Sequence, residues 1–239
     1  MQSVEIYPNT ETLVRAAAER ITSILRQTLA QKESATLVLT GGSTPRPVYE
    51  LMGSPPYAGR VAWNRVHFFW GDERCVPPDH PQSNFGMAWE ALVSKIPVPS
   101  GHVHRMRGEI QDAEMAASLY ATEIQTVIPD SEIPSFDLVL LGMGKDGHTA
   151  SLFPGTRWDE EKLVIASQVP ETGAKRISMT TRIFNKAHAG LFLVAGLDKS
   201  QVLAEVLKNP ASGLPAAGIR PEGSLTWMVD EAAARLVRE

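Results

Sequence analysis

Four short runs in this chain are apolar almost from end to end: Thr36–Thr40 (TLVLT), Val66–Trp70 (VHFFW), Asp137–Leu141 (DLVLL) and Leu191–Ala195 (LFLVA). A strand with one face in water alternates apolar and polar residues. A run without that alternation has to be covered on both faces. Amphipathic segments lie around these runs and predict helices over Glu11–Gln31, Phe85–Ser94, Asp112–Val127, Lys199–Leu207 and Glu231–Arg238. In the first of them Leu13, Ala17, Ile21, Ile24 and Leu25 share one side. A further strand is expected to start near Val4. Strands alternating with helices predict an α/β fold with a mostly parallel sheet and helices on both faces. Ligands of such sheets bind beyond the carboxyl ends of the strands.

At 239 residues the chain is long enough for a substantial core, and residues 1–239 are expected to form one α/β domain. The formal charge is −4, so bulk electrostatics draws in neither nucleic acid nor acidic membranes. An anionic ligand therefore needs a local basic cluster. The one cysteine, Cys75, cannot close an internal disulfide, and no Cys/His set has zinc-site spacing. The start, MQSVEIYPNTETLV, lacks the basic-then-apolar pattern of a signal peptide, and no stretch approaches the roughly 20 apolar residues of a membrane span. A cytoplasmic protein is expected, as a monomer or small homo-oligomer. Prolines at 77, 78 and 81 exclude regular structure from Val76 to Asn84.

Three polar, glycine-containing motifs follow three of the apolar runs. The first is Thr40-Gly41-Gly42-Ser43-Thr44-Pro45, which opens a helix. Glycines permit close backbone approach, and N–H groups with Ser43 and Thr44 hydroxyls suit a phosphate. The alternative is a plain strand–helix turn with Ser43 or Thr44 as N-cap. The spacing is neither that of a Walker A loop nor that of a dinucleotide fingerprint. The second, Trp70-Gly71-Asp72-Glu73-Arg74, sets three charges at the mouth of a buried strand, for function or as an ion pair closing a loop. Ser83-Asn84, further on, reads as a helix cap and nothing more.

The third motif, Leu141 to Pro154 (LGMGKDGHTASLFP), has glycines at 142, 144 and 147 and presents Asp146 close to His148. A carboxylate beside an imidazole fixes its tautomer and raises its basicity, as activation of a water requires. Arg176 and Lys199 flank predicted strands; each is a surface charge unless the strand ends converge. His102 and His104 have strand spacing without a third metal ligand and read as packing or surface. His67, His80 and His188 read as structural, and Cys75 as inert.

Taken in order, LTGGSTP, GDERCVPPDHPQSN, GMGKDGHTASLFPG, RISMT and GLDKS resemble the 6-phosphogluconolactonase family from about residue 36 to the C-terminal strand. The resemblance implies a three-layer α/β/α sandwich with a Rossmann-like sheet, similar to the glucosamine-6-phosphate deaminases, and no metal or organic cofactor. It implies hydrolysis of 6-phospho-D-glucono-1,5-lactone, with His148 as general base oriented by Asp146. The phosphate is then expected near Gly41, Gly42, Ser43 and Thr44, with Arg74, Arg176 and Lys199 as charge partners. Asp72 is expected to contact sugar hydroxyls or to position Arg74.

Two rivals fit less well. Deaminases of the related group carry a Glu five residues after the corresponding His, where this chain has Phe153, and an apolar ring cannot assist their proton transfers. A sugar-phosphate sensor would keep the phosphate cluster without needing His148, and the sequence shows no added DNA-binding segment.

Overall fold

The computed structural model describes residues 2–129 and 132–237. Nine strands and six helices follow in chain order: β1 (Gln2–Tyr7), α1 (Thr10–Gln31), β2 (Ala35–Leu39), α2 (Pro45–Met52), β3 (Val66–Trp70), β4 (Asp72–Arg74), α3 (Asn84–Ala91), α4 (Ala113–Val127), β5 (Leu138–Leu141), β6 (Val164–Gln168), β7 (Lys175–Met179), α5 (Thr181–Phe184), β8 (Ala189–Val194), α6 (Ser200–Lys208) and β9 (Ser224–Asp230). Six strands form one sheet in the order β1-β9-β8-β5-β2-β3, parallel throughout. The three remaining strands form a small antiparallel sheet, β4-β7-β6.

The unalternating apolar runs are explained by two cores, one on each face of the large sheet. Successive side chains of a strand point to opposite faces. Leu37 and Leu39 of β2, and Leu138 and Leu140 of β5, accordingly pack with α1, α2 and α3 through residues such as Ile21, Leu25, Val48 and Ala88. Val38, Val139 and Leu141 face the other way and pack with α4, α6 and the small sheet through Ala117, Ile124, Leu203 and Ile177. The layers are thus helices, parallel sheet, and helices joined by the small sheet. Among the described residues no helix is long and apolar enough to cross a membrane.

Caps set several boundaries. Asn9 and Thr12 form a capping box at the start of α1, and Asp112 accepts from the backbone of Glu114 and Met115 at the start of α4. Asp137, read as the first residue of a strand, instead stands before β5. Its carboxylate ties the start of β2 to β5 by accepting from Thr36 N at 2.9 Å and pairing with Lys32 at 2.5 Å. The expected helix over Glu231–Arg238 is not regular: residues 231–237 make successive turns, and Arg238 lies outside the described residues. Asp230 takes part in these turns, its carbonyl accepting from Ala234 N and its carboxylate from Ala233 N. β4, β6 and the small sheet they build have no counterpart among the sequence expectations.

Candidate active site

Chain order along the large sheet reverses between β5 and β2: β3 lies outward on one side, β8 and β9 on the other. Such a reversal opens a crevice at the carboxyl ends of the strands. A cleft of about 380 Å³ lies there, lined by the loops after β2, β5 and β8 and by the Asp72 and Arg74 segment. Gly41, Gly42, Ser43, Thr44, Asp72, Arg74, His148, Arg176 and Lys199 all line it. Of the residues expected in the catalytic and phosphate sites, all line the cleft except Asp146, which stands one contact behind, on His148. A larger cavity of about 600 Å³, reaching from Ser151 past Trp158 to the start of α4, holds none of these residues.

The His148 loop is set by its glycines. Gly147 has φ +87°, a left-handed conformation that other residues adopt at a cost. A Cβ on Gly144 would stand 2.2 Å from the His148 ring, so only glycine leaves the imidazole room. His148 Nδ1 lies 2.6 Å from Asp146 Oδ1, and its backbone N–H donates to the same oxygen at 3.2 Å. A carboxylate accepts, so in the neutral ring the proton sits on Nδ1 and Nε2 carries the lone pair. The Phe153 ring lies 5.0 Å away between centroids, and both rings line the cleft. Ala150, two residues on, has φ +49° and is the one non-glycine residue at positive φ among those described. That strain, on the order of 1–3 kcal/mol, is held in place by Ser151. Ser151 N donates to Ser178 Oγ at 3.2 Å, its carbonyl accepts from Ser167 at 2.8 Å, and its hydroxyl donates to Asp72 at 2.6 Å.

The Asp72-Glu73-Arg74 segment is strand β4, and its charges separate by pleat. Glu73 is 2% exposed and forms no ion pair with Arg74, so the loop-closing pair is not found. Its carboxylate instead caps α3, accepting from the backbone of Asn84 at 2.7 Å and Phe85 at 2.8 Å, from Ser83 Oγ at 2.9 Å and from Arg74 N at 2.7 Å. Burial lifts the Glu73 carboxyl above its usual range, and the four donors oppose that shift. Ser83 does cap the helix, as its sequence position suggests, through Gly86 N at 2.9 Å. Asn84 does more, because its side chain turns into the cleft and Nδ2 donates to Asp72 O at 2.9 Å and Oδ1 at 3.1 Å.

Three cations share the cleft. Arg74 and Arg176 are direct cross-strand partners on β4 and β7, which sets their side chains on one face. Their guanidinium groups donate to main-chain carbonyls, of Gln82 and Lys175 respectively, and neither forms an ion pair with a carboxylate of the described residues. Burial, and then the charge of Arg74, push the Arg176 guanidinium below its ordinary value. Lys199 contacts Asp198 at 3.5 Å. Across from them, Gly42 has φ +112°, and the Ser43 and Thr44 hydroxyls make no hydrogen bond with any described residue. Thr44 precedes α2 without capping it, and Ser43 does not cap it either. Arg74, Arg176 and the Ser43 and Thr44 hydroxyls are thus gathered in one cleft, with Asp72 as a nearby negative charge on Arg176, and groups of these kinds can hold an anion.

Outside the cleft the other sequence readings fall into place. His67, His102 and His104 cluster: His67 stacks on His102 at 3.9 Å, and its Nδ1 lies 3.0 Å from His104 Nε2. Among the described residues no group of three or more His, Cys, Asp or Glu side chains is arranged to hold a metal ion. Cys75 is half-buried, and burial pushes its thiol up, away from the reactive range. Asn84, Ser151 and Ala150 escaped the sequence reading. The juxtaposition of Ser83-Asn84 with a buried Asp-Glu pair was the available signal for the first, and nothing in the sequence marked the other two.

Comparison with known proteins agrees with this geometry. The family model described as glucosamine-6-phosphate isomerases/6-phosphogluconolactonase matches residues 8–227. The 6-phosphogluconolactonase of Haemophilus influenzae is 40% identical over 203 residues, spanning 83% of this chain and 86% of that protein. That of Synechocystis is 35% identical, with 98% of each chain covered. The solved 6-phosphogluconolactonase of Thermotoga maritima superposes with a TM-score of 0.84 at 34% identity, over 96% of this chain and all of that one (100%). The chain belongs to the glucosamine-6-phosphate isomerase/6-phosphogluconolactonase family.

Proposed function

We propose that this protein hydrolyses 6-phospho-D-glucono-1,5-lactone to 6-phospho-D-gluconate, the step that opens the lactone in the oxidative branch of the pentose phosphate pathway. The observation that carries the reading is one cleft holding an imidazole with a free Nε2 and, facing it, unpaired arginines beside an open Gly-Gly-Ser-Thr loop. The curated relatives carry the same activity in their names.

In the proposed mechanism Arg74, Arg176 and Lys199 hold the phosphate together with the loop from Gly41 to Thr44, and the lactone carbonyl lies toward His148. Nε2 takes a proton from water as the water oxygen attacks C1. The C1–O5 bond of the resulting tetrahedral oxyanion breaks, O5 takes the proton back from Nε2, and the acid loses its own proton to solvent. Asp146 keeps the ring oriented and stabilises the transient imidazolium. Backbone N–H groups of the glycine loops are the proposed oxyanion donors. Asp72 is held to Asn84 and Ser151 and is proposed to accept from sugar hydroxyls. The reaction requires no metal or organic cofactor and no nucleic acid or membrane partner. The whole chain acts as one domain, as a cytoplasmic monomer or small homo-oligomer.

Phe153 sets an apolar ring beside His148, at the position where the related deaminases carry a Glu. The test is therefore to offer freshly generated phosphogluconolactone and glucosamine 6-phosphate to the same preparation. Lactone opening well above the spontaneous rate, no ammonia, and full activity after EDTA are expected. Ammonia without lactone opening overturns the assignment, and zinc-dependent recovery after EDTA overturns the metal-free mechanism.

A further inference from the structure

Asn84 is 3% exposed, yet only half of its side-chain amide is used. Both of its Nδ2 bonds go to Asp72, to the main-chain O at 2.9 Å and to Oδ1 at 3.1 Å. Both partners are acceptors, so the amide cannot be flipped: the NH2 faces Asp72 and Oδ1 points the other way. Oδ1 accepts no hydrogen bond from any described residue. It is not sealed off either, since no Asn84 atom is among the enclosed, unpartnered polar atoms of the described residues. It opens on the cleft beside Gly41, where a Cβ would stand 1.8 Å from it. Glycine at 41 thus clears a place for this amide, a steric reason apart from any contact with phosphate. The helix start that carries Asn84 is pinned by Glu73, which accepts from Asn84 N at 2.7 Å. The acceptor is therefore held at the main chain and at the side chain, and aimed.

An acceptor that is fixed, open to the cleft and vacant suits a donor brought by the ligand. Resting on the lactonase reading, we propose that Asn84 Oδ1 accepts a hydrogen bond from one ring hydroxyl of the sugar lactone, making Asn84 a specificity-determining residue. Asp72 Oδ1 and Oδ2 are already engaged by Asn84 and Ser151, so Asn84 extends the polar wall that Asp72 begins. A hydroxyl is the class of group required, since it is a neutral donor that can also accept. The phosphate, acceptor-only at its full charge, is excluded from this position and left to the cations.

The test compares 6-phosphogluconolactone with its 2-, 3- and 4-deoxy forms as substrates of the wild type, Asn84→Ala and Asn84→Ser. One deoxy substrate should be about 3–10-fold poorer in kcat/KM for the wild type, the worth of one neutral hydrogen bond. That penalty, and not the others, should shrink to near unity in Asn84→Ala. The ratio of phosphorylated to plain lactone should stay unchanged, because the phosphate contacts lie elsewhere. A merely structural Asn84 would slow all four substrates alike. The proposal is overturned if every deoxy penalty persists in a folded variant, or if the wild type shows no deoxy penalty at all, which needs no variant to fold. Absence of any lactonase activity in the wild type would instead overturn the proposed function itself.

Discussion

His148 can take a proton from water only while Nε2 is bare, and the 2.6 Å contact between Nδ1 and Asp146 is what orders the ring that way. His148→Ala should lower kcat by about 10²–10⁴-fold, with the fold preserved because the side chain is about a third (34%) exposed. Asp146→Asn should cost less, since an amide can still orient the ring but cannot balance an imidazolium. Arg176 gives a second prediction of a different kind. Its charge is held against burial and against Arg74 in the absence of ligand, so Arg176→Met should raise the midpoint of urea unfolding. The same change should lower kcat/KM by roughly 10–150-fold, the equivalent of about 1.5–3 kcal/mol for a charge-assisted hydrogen bond. A variant that is neither more stable nor less active would show that Arg176 is an ordinary surface charge. The Gly41–Thr44 loop, Asp72, Asp146 and His148 were legible from sequence because each lies beside glycine in a loop that follows an apolar run, whereas Arg176 and Lys199 were marked only as charges flanking predicted strands. Asn84 was legible only as part of a helix cap, and Ser151 not at all, because a polar residue that reaches across the fold leaves no local pattern.

At the level of elements, the small sheet β4-β7-β6 does the work that brings Arg176 to Arg74. Its strands were hard to read for a physical reason: β4 is three residues of charge, and β6 ends in half-buried Ser167 and exposed Gln168. Neither has the apolar density that marked the strands of the large sheet. The short turns after Asp230 were misread as helix because their alanines and leucine keep helical spacing. Asp230 accepts from Ala233 N as an N-cap would, but Val237 N then donates to Ala234 O, three residues back, so the ladder tightens into turns. Glu73 is the element-scale keystone, since one carboxylate closes β4 on α3. Glu73→Ala leaves the buried N–H groups of Asn84 and Phe85 unpaired and should cost about 2–4 kcal/mol in urea unfolding. A loss below about 0.5 kcal/mol would mean that water replaces the carboxylate without penalty.

For the whole molecule, the two cores on either face of the parallel sheet were readable from the unalternating runs, and the reversal between β5 and β2 then fixes where the cleft opens. Strand order itself was not in the sequence pattern, since nothing local says that β5 lies beside β2. Stability should also carry a pH signature from outside the cleft. Burial first, and then the charges of His102 and His104, lower the pKa of His67 from 6.5 to about 4. Protonation is thus disfavoured in the folded state, so stability present at neutral pH is lost as pH falls from about 6.5 toward 4. His67→Gln should flatten that part of the urea midpoint profile; an unchanged slope would assign the loss to other groups.

The central claim, that His148 activates water against a lactone whose phosphate is held across the cleft, has one direct measurement. Freshly generated 6-phosphogluconolactone should be followed with wild type and His148→Ala at equal concentration, each corrected for spontaneous opening. The account predicts rapid opening by the wild type and a residual rate about 10²–10⁴-fold lower in the folded variant. A folded His148→Ala protein that opens the lactone at nearly the wild-type rate would contradict it.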